Sequence, residues 1–419
     1  MIKQIICIIL LSICFANAAN EVAICSFAGS TFSGNLYIGY NDNSRLELFW
    51  NGSTAATFVA HNTGDLNAAL SASTILGSSA TLTCDDTRGF LAHVSATSSA
   101  VSSNSNVTAQ TITGANSLIG YVIAAYANAP SDCDAVTYAG LGNLLGKCVL
   151  GVADLNSNEV GTLPAGFTSV VTVDQLVSNQ AQSFYDNTLN IVNLFCQFAQ
   201  TQKFNYTGTF SGSALLSFNK TSGDTTITAK FGGLDSLSTH GLHIHTFGDL
   251  SVNTGASVGP HWNTSSTQTH NLPPANTRHT GDLGNVCTYL DGVAYYKFTT
   301  NYITWDVNGL NPIGRGMALH RNRDDGTTTS FGDRIATCVL GNLKSSAPAA
   351  PINIPATLDF SSNSDAVCTQ ASTTASTTTT TSSTTSSSTT TTGDSGNSSA
   401  LVQVTYLFTI ACVLLSLLF

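Results

Sequence analysis

The stretch THGLHIHTFGDLS, residues 239–251, decides the reading of this chain. It holds His243 and His245 as an H-x-H pair. On an extended segment side chains repeat with period two, so both imidazoles leave the same face. More ligand types follow: His261 in VGPHWN, then His270, then His279 and Asp282 in RHTGDLGNV, and finally His320 in MALHRNRDD. Together they can supply one metal with four imidazoles and a second with three imidazoles and a carboxylate. An all-imidazole tetragonal set suits Cu(II), and a tetrahedral set of His and carboxylate suits Zn(II).

Outward from this centre, 419 residues with 42% hydrophobic and 9% charged residues leave room for two compact domains. Both ends read as processing signals. Residues 1–19 carry Lys3, the apolar run IICIILLSICF and the small-residue pattern ANAA, which predicts a cleaved secretory leader. Residues 397–419 contain a terminal apolar run behind the small residues GDSGNSS, the pattern of a GPI-anchor signal. Attachment is expected at Asn397, with Ser395, Gly396 and Ser398 as the alternatives. A transmembrane tail is the other reading, but no Lys or Arg follows the run to hold it on a cytoplasmic side.

Residues 344–396 begin with prolines and become a Ser/Thr tract with too few apolar residues for a core, an expected O-glycosylated stalk. N-glycosylation sequons occur at Asn51, Asn106, Asn205, Asn219 and Asn263 within the body of the chain. These features place the chain on the extracellular face of the plasma membrane, held in the outer leaflet by lipid. The formal charge of -10 excludes a basic nucleic-acid binder. It does not exclude a small anion at a locally positive cleft, where the shape of the field matters more than the total.

A faint internal repeat runs through the chain. FSGNLYIGYNDNSRLELFWNG parallels FSGSALLSFNKTSGDTTITAKFGG, TLTCDDTRGFLAHV parallels GNVCTYLDGVAYYK, and LLGKCVLG parallels IATCVLG, all in the same order. Short β-branched and aromatic runs between Gly, Asn and Asp predict an all-β, Greek-key sandwich or barrel, present twice. The copies are expected at 20–155 and 203–343, joined by a partly helical linker at 156–202. The first copy has Tyr126 where the second has His320, and it has no counterpart to HIHTFGD or to the loop from His261 to Asp282. Its two histidines, His61 and His93, are too few for a copper site. Cys84 and Cys148 recur as Cys287 and Cys338, so one bridge within each copy is expected, Cys84–Cys148 and Cys287–Cys338. The pairing of Cys25, Cys133, Cys196 and Cys368 is left open.

From Phe210 to Leu343 the ligand spacing closely resembles the copper/zinc superoxide dismutases. The resemblance implies His243, His245, His261 and His320 on copper, and His261, His270, His279 and Asp282 on zinc. His261 would then bridge the two metals, one of each per chain. His240 resembles a family histidine that braces backbone and is not a ligand. Asp324 resembles the carboxylate that hydrogen-bonds one copper and one zinc imidazole, and Arg334 the guanidinium beside the open copper position. The implied reaction is ping-pong dismutation of superoxide to dioxygen and hydrogen peroxide through Cu(II)/Cu(I), with Arg334 guiding the anion and His261 carrying a proton.

The chain departs from the family pattern in places. The loop TGASVGPH lacks the family's bridging cysteine, which makes Cys287 the expected partner of Cys338. The segment DGTTTSFGDR, residues 325–334, is much shorter than the family's charged loop and implies a more open copper mouth with less steering. A homodimer, or an intrachain pseudo-dimer of the two copies, are the assemblies the family suggests. The rival function is a noncatalytic copper-binding or adhesive surface glycoprotein.

Overall fold

Strands form here because apolar residues alternate. In Ser211–Asn219, Gly212, Ala214 and Leu216 are buried while the residues between them are more exposed. In Thr225–Gly232 the buried set is Thr225, Ile227, Ala229 and Phe231. One buried face at period two is the signature of antiparallel sheet.

The fold is given by a computed structural model, which describes residues 21–40, 46–76, 81–82, 90–94, 101–103, 117–128, 136–154, 190–305, 311–328, 330–343, 348 and 351–355. The expected leader, most of the stalk, the anchor signal, Asn106 and Cys84 lie outside the described residues. The first half contributes β1 (Glu21–Ala28), β2 (Ser33–Tyr40), β3 (Leu46–Trp50), β4 (Ala56–His61), β5 (Thr81–Leu82), β6 (Phe90–Val94), β7 (Val101–Ser103), β8 (Val122–Tyr126), β9 (Val136–Thr137), β10 (Leu144–Val149) and β11 (Gly151–Asp154). The second contributes β12 (Ile191–Gln197), β13 (Ala199–Gln200), β14 (Ser211–Asn219), β15 (Thr225–Gly232), β16 (Thr239–Ile244), β17 (Asp282–Thr288), β18 (Ala294–Thr300), β19 (Gly316–His320), β20 (Arg334–Val339) and β21 (Gly341–Leu343). The architecture is all-β; among the described residues the helical elements are short 3-10 turns.

The second half forms one curled sheet in the order β13-β20-β19-β16-β17-β18-β15-β14-β12-β21. The first half forms β11-β1-β2-β3-β7 and β10-β8-β4-β6. Replacing β1, β2, β3, β7 and β11 by β12, β14, β15, β18 and β21, and β10, β8, β4 and β6 by β20, β19, β16 and β17, turns both first-half orders into runs of the second-half sheet.

The two halves meet through backbone bonds that come in reciprocal pairs. Val152 N donates to Gly314 O at 3.1 Å and Asn342 N to Gly120 O at 2.7 Å. Gly248 N donates to Val152 O at 2.8 Å and Gly64 N to Asn342 O at 2.6 Å. Gly120 and Gly314 both have positive φ, 79° and 68°. A Cβ on Gly120 would lie 2.5 Å from Ile313 Cγ2, and one on Gly314 would lie 2.2 Å from Ile119 Cγ2. Glycine is required at each because left-handed backbone and close approach coincide. One buried apolar cluster, including Ile119, Leu150, Ile313 and Leu340, runs through both halves.

Three sequence expectations are corrected. The end of the supposed helical linker is the strand β12, whose IVNLFCQ is buried at five consecutive positions. The bridges are Cys25–Cys148 and Cys196–Cys338, not Cys84–Cys148 and Cys287–Cys338. The physical reason is strand parity. In β17 the core-facing residue is Val286, which leaves Cys287 on the outer face, whereas Cys338 and Cys196 are both buried. Cys287 is itself disulfide-bonded. Finally, HIHTFGD does have a first-half counterpart, VAHNTGD at residues 59–65. His61 pairs with Val122 and bridges Ile75, as His245 N bonds Gly316 O and His245 bridges His261.

Candidate metal centre

β16 sits between β19 and β17, so its residues are covered from both sides. His243 pairs with Ala318 of β19, and two residues later His245 N donates to Gly316 O at 2.7 Å. His243, His245 and His320 are all buried. The long loop after β16 is folded back by backbone bonds. Trp262 N reaches Ile244 O at 2.9 Å, and Gly281 N reaches Trp262 O at 2.9 Å. This fold-back carries His261, His270, His279 and Asp282 to the same place.

Two sets of ligand atoms result, each lying within 4.8 Å of one another: His243, His245, His261 and His320, and His261, His270, His279 and Asp282. His261 belongs to both. A third set, His243, His270 and Asp324, links them from behind. His240 belongs to none; its Nδ1 donates to His320 O at 2.9 Å and its Nε2 faces Ser238 Oγ at 2.7 Å.

The hydrogen bonds fix which ring nitrogens face inward. A carbonyl only accepts, so a ring nitrogen bonded to one must carry the proton. His245 Nδ1 donates to Gly259 O at 2.8 Å and His320 Nδ1 to Gly332 O at 3.0 Å. Their Nε2 lone pairs then face each other at 3.3 Å. His243 Nε2 donates to Asp324 Oδ2 at 2.7 Å, leaving Nδ1 inward. On the other side, Asp282 Oδ1 lies 2.7 Å from His261 Nδ1 and 3.1 Å from His270 Nδ1, and Oδ2 lies 3.4 Å from His279 Nδ1. His243 Nδ1, His261 Nε2 and His279 Nδ1 are buried without any hydrogen-bond partner. Buried polar nitrogen is costly when unpaired, and converging lone pairs are what a cation requires. The donor set therefore fits copper in the first group and zinc in the second.

Electrostatics agree. Burial opposes charge on Asp282, yet hydrogen bonds from His261 and His270, with the His279 ring close by, hold its carboxyl far below the usual range. His243 and His270 do the same for Asp324 against its burial. Burial pulls His270 down, but its bonds to Asp282 and Asp324 prevail and raise it to about 9. Burial and neighbouring His243 lower His261 to about 3. In the metal-free fold His270 is thus favoured in its charged form, between two ionised carboxylates. Arg334 Nη2 donates to Gly259 O at 2.7 Å, the same carbonyl that accepts from His245. Burial chiefly, with Arg334 also contributing, keeps His245 and His320 neutral.

Residues 210–340 match the sequence profile of the copper/zinc superoxide dismutases. The chain carries a domain of the copper/zinc superoxide dismutase family. It is 35% identical over 240 residues to extracellular superoxide dismutase [Cu-Zn] 2 of Dictyostelium discoideum, covering 55% of this chain and 52% of that protein. It is 29% identical over 278 residues to extracellular superoxide dismutase [Cu-Zn] 3 of the same organism, covering 64% of this chain and 62% of the relative. The matched region thus spans less than two thirds of either relative.

Within this dismutase-family domain, two supporting residues had no sequence signal. Asn285 grips Asp324 at both ends: Asn285 Nδ2 donates to Asp324 O at 2.8 Å and Asp324 N to Asn285 Oδ1 at 2.7 Å. Buried Arg278 donates from Nε to Asp282 O at 3.2 Å and from Nη1 to Ala275 O at 2.9 Å, tying the loop to its own carboxylate strand.

The equivalent positions of the first half carry other chemistry. Register puts Val59 at the place of His243, Ile75 at that of His261, Tyr126 at that of His320 and Leu144 at that of Arg334. Val59, Ile75 and Tyr126 pack with Ala124 and Leu141 in a small apolar cluster. Leu144 is 45% exposed. His61, at the place of His245, is buried, and His93 faces Thr57 Oγ1 at 2.9 Å.

Proposed function

We propose that this protein is an extracellular superoxide dismutase with one copper and one zinc per chain, both in the second half. The observation that carries the reading is that ligand atoms of His243, His245, His261 and His320, and of His261, His270, His279 and Asp282, gather within 4.8 Å of one another in two sets that share His261. Bound there, copper would supply one-electron Cu(II)/Cu(I) chemistry and zinc a fixed, redox-inert charge.

Each side chain has a task in this reading. His243, His245, His261 and His320 hold copper, and His261, His270, His279 and Asp282 hold zinc. Asp324 keeps the His243 and His270 rings oriented by accepting hydrogen bonds from their Nε2 atoms, and Asn285 keeps Asp324 in place. Arg334 is a permanent cation that draws a small anion and directs it by hydrogen bonds. His261 is the proton carrier, since its two ring nitrogens face the two ligand sets. The overall reaction takes two superoxide ions and two protons to dioxygen and hydrogen peroxide. Residues 20–155 act as a built-in partner domain without metal. Residues 1–19 act as a cleaved leader and residues 397–419 as the signal for a GPI anchor, above a glycosylated stalk.

Metal content of the purified protein, measured together with cyanide-sensitive dismutation, tests the proposal. About one copper and one zinc with fast turnover is the expected result. Metals without turnover would move the reading to copper binding, and a chain without metal would leave a surface scaffold.

A further inference from the structure

The shortened segment at residues 325–334 does not leave the imidazoles bare. Phe331 lies with its ring centroid 4.7 Å from His320, 4.9 Å from His261, 5.2 Å from His243 and 5.2 Å from His270. Among the described residues, no other aromatic side chain outside the histidines has a recorded ring contact with these rings. Phe331 is itself half-buried, and its neighbours Gly332 and Asp333 are exposed. The ring therefore occupies the layer between four buried or half-buried imidazoles and solvent.

The backbone of Phe331 is tied across the loop to Asn322 and through Asn322 to strand β16. Asn322 N donates to Phe331 O at 3.0 Å, and Gly241 N donates to Asn322 O at 2.9 Å. The carbonyl of the next residue, Gly332, orients His320. Gly241 leaves the notch into which this segment packs; a Cβ there would meet Phe331 Cβ and Asp324 Cβ, each at 3.3 Å. Arg334 is held elsewhere, on Gly259 O, so the cation and the aromatic ring cover different parts of the cluster.

We propose that Phe331 is a hydrophobic shield that excludes water and competing ligands from the imidazole cluster and sets the rate at which metal leaves. The metal-release arm rests on the metal-centre reading above; the shielding itself does not. An apolar layer around a site controls solvent access, and losing such outer support typically weakens metal retention by about tenfold or more.

The test is a graded series, Phe331→Leu, Phe331→Val and Phe331→Ala, in the full chain. In metal-free protein, carbethoxylation of His320 and His261 by diethyl pyrocarbonate is followed by peptide mass mapping. In metal-loaded protein, release of zinc and copper to excess EDTA is timed. Both rates should climb as the side chain shrinks, by about tenfold at alanine, with metal content at saturation unchanged. The leucine and valine variants carry the trend should alanine fail to fold. Rates independent of side-chain size would overturn the proposal. A parent protein that takes up no metal would instead refute the metal reading, while the carbethoxylation series still decides the role of Phe331.

Discussion

His61 Nε2 and Tyr126 Oη stand 3.1 Å apart at the register positions that His245 and His320 hold in the second half, where two Nε2 atoms stand 3.3 Å apart. A pair that offers lone pairs to a cation in one half is a closed hydrogen bond in the other. Tyr126 continues to Tyr138 at 3.3 Å, and Tyr138 Oη donates to Leu70 O at 3.0 Å. At the matching register positions the first half thus has a closed, buried hydrogen bond in place of two facing ring nitrogens.

That replacement predicts an acid-sensitive fold. Burial, reinforced by Lys147, lowers His61 from 6.5 to about 4. The unfolded chain binds the proton more tightly, so stability is full above pH 6.5 and falls as pH drops toward 4. The loss from this group amounts to roughly 3 kcal/mol at its limit. Urea unfolding of the parent and of His61→Gln, compared between pH 7 and 4, should show a shallower slope for the variant. Parallel pH profiles would assign the acid sensitivity elsewhere.

Asp324 spans the two ligand sets, accepting from His243 at 2.7 Å and from His270 at 2.9 Å. In Asp324→Asn the neutral amide keeps the shape but loses the charge that both rings lean on. Zinc affinity by chelator competition should fall about 10- to 100-fold, with the protein still folded. Unchanged affinity would reduce Asp324 to a loop brace.

Much of this arrangement was legible in the sequence, and what was not has specific causes. The ligand types announced themselves because H-x-H at period two commits a strand and its face, and the structure brings all seven side chains together. The first-half counterpart carries little sequence signal because VAHNTGD keeps only His61, Gly64 and Asp65 of HIHTFGD. β12 lacks a strand signature because IVNLFCQ is buried at five consecutive positions, Asn193 included, so it shows no period-two alternation that would distinguish strand from helix. The bridges are not legible in the sequence because recurrence of Cys148 and Cys338 does not say which face each strand turns inward. Asn285 and Arg278 act through contacts between distant segments that leave no local pattern.

The bridges themselves make a direct prediction. Nonreduced peptide mapping should recover Cys25 with Cys148 and Cys196 with Cys338. The second closes a separation of 142 residues, and chain-entropy arguments assign such a loop roughly 5 kcal/mol. Cys196→Ala should therefore lower the midpoint of thermal unfolding strongly. Recovery of a Cys287–Cys338 peptide would contradict the fold described for β12 and β17.

The reciprocal bonds between the halves bear on assembly. Gly314 O and Gly120 O are each occupied by a backbone N–H from the other half, and Gly64 and Gly248 complete the set. A surface already paired within the chain is not open to a second copy, so the protein should sediment as a monomer at micromolar concentration. Gly314→Val would force a left-handed residue, costing about 1–2 kcal/mol. It would also press a side chain into Ile119, at a further cost of about 1–3 kcal/mol. Lowered thermal stability with retained monomeric mass is the expected outcome. A parent protein that forms stable dimers would show that the first half does not serve as the partner, whatever its strand order.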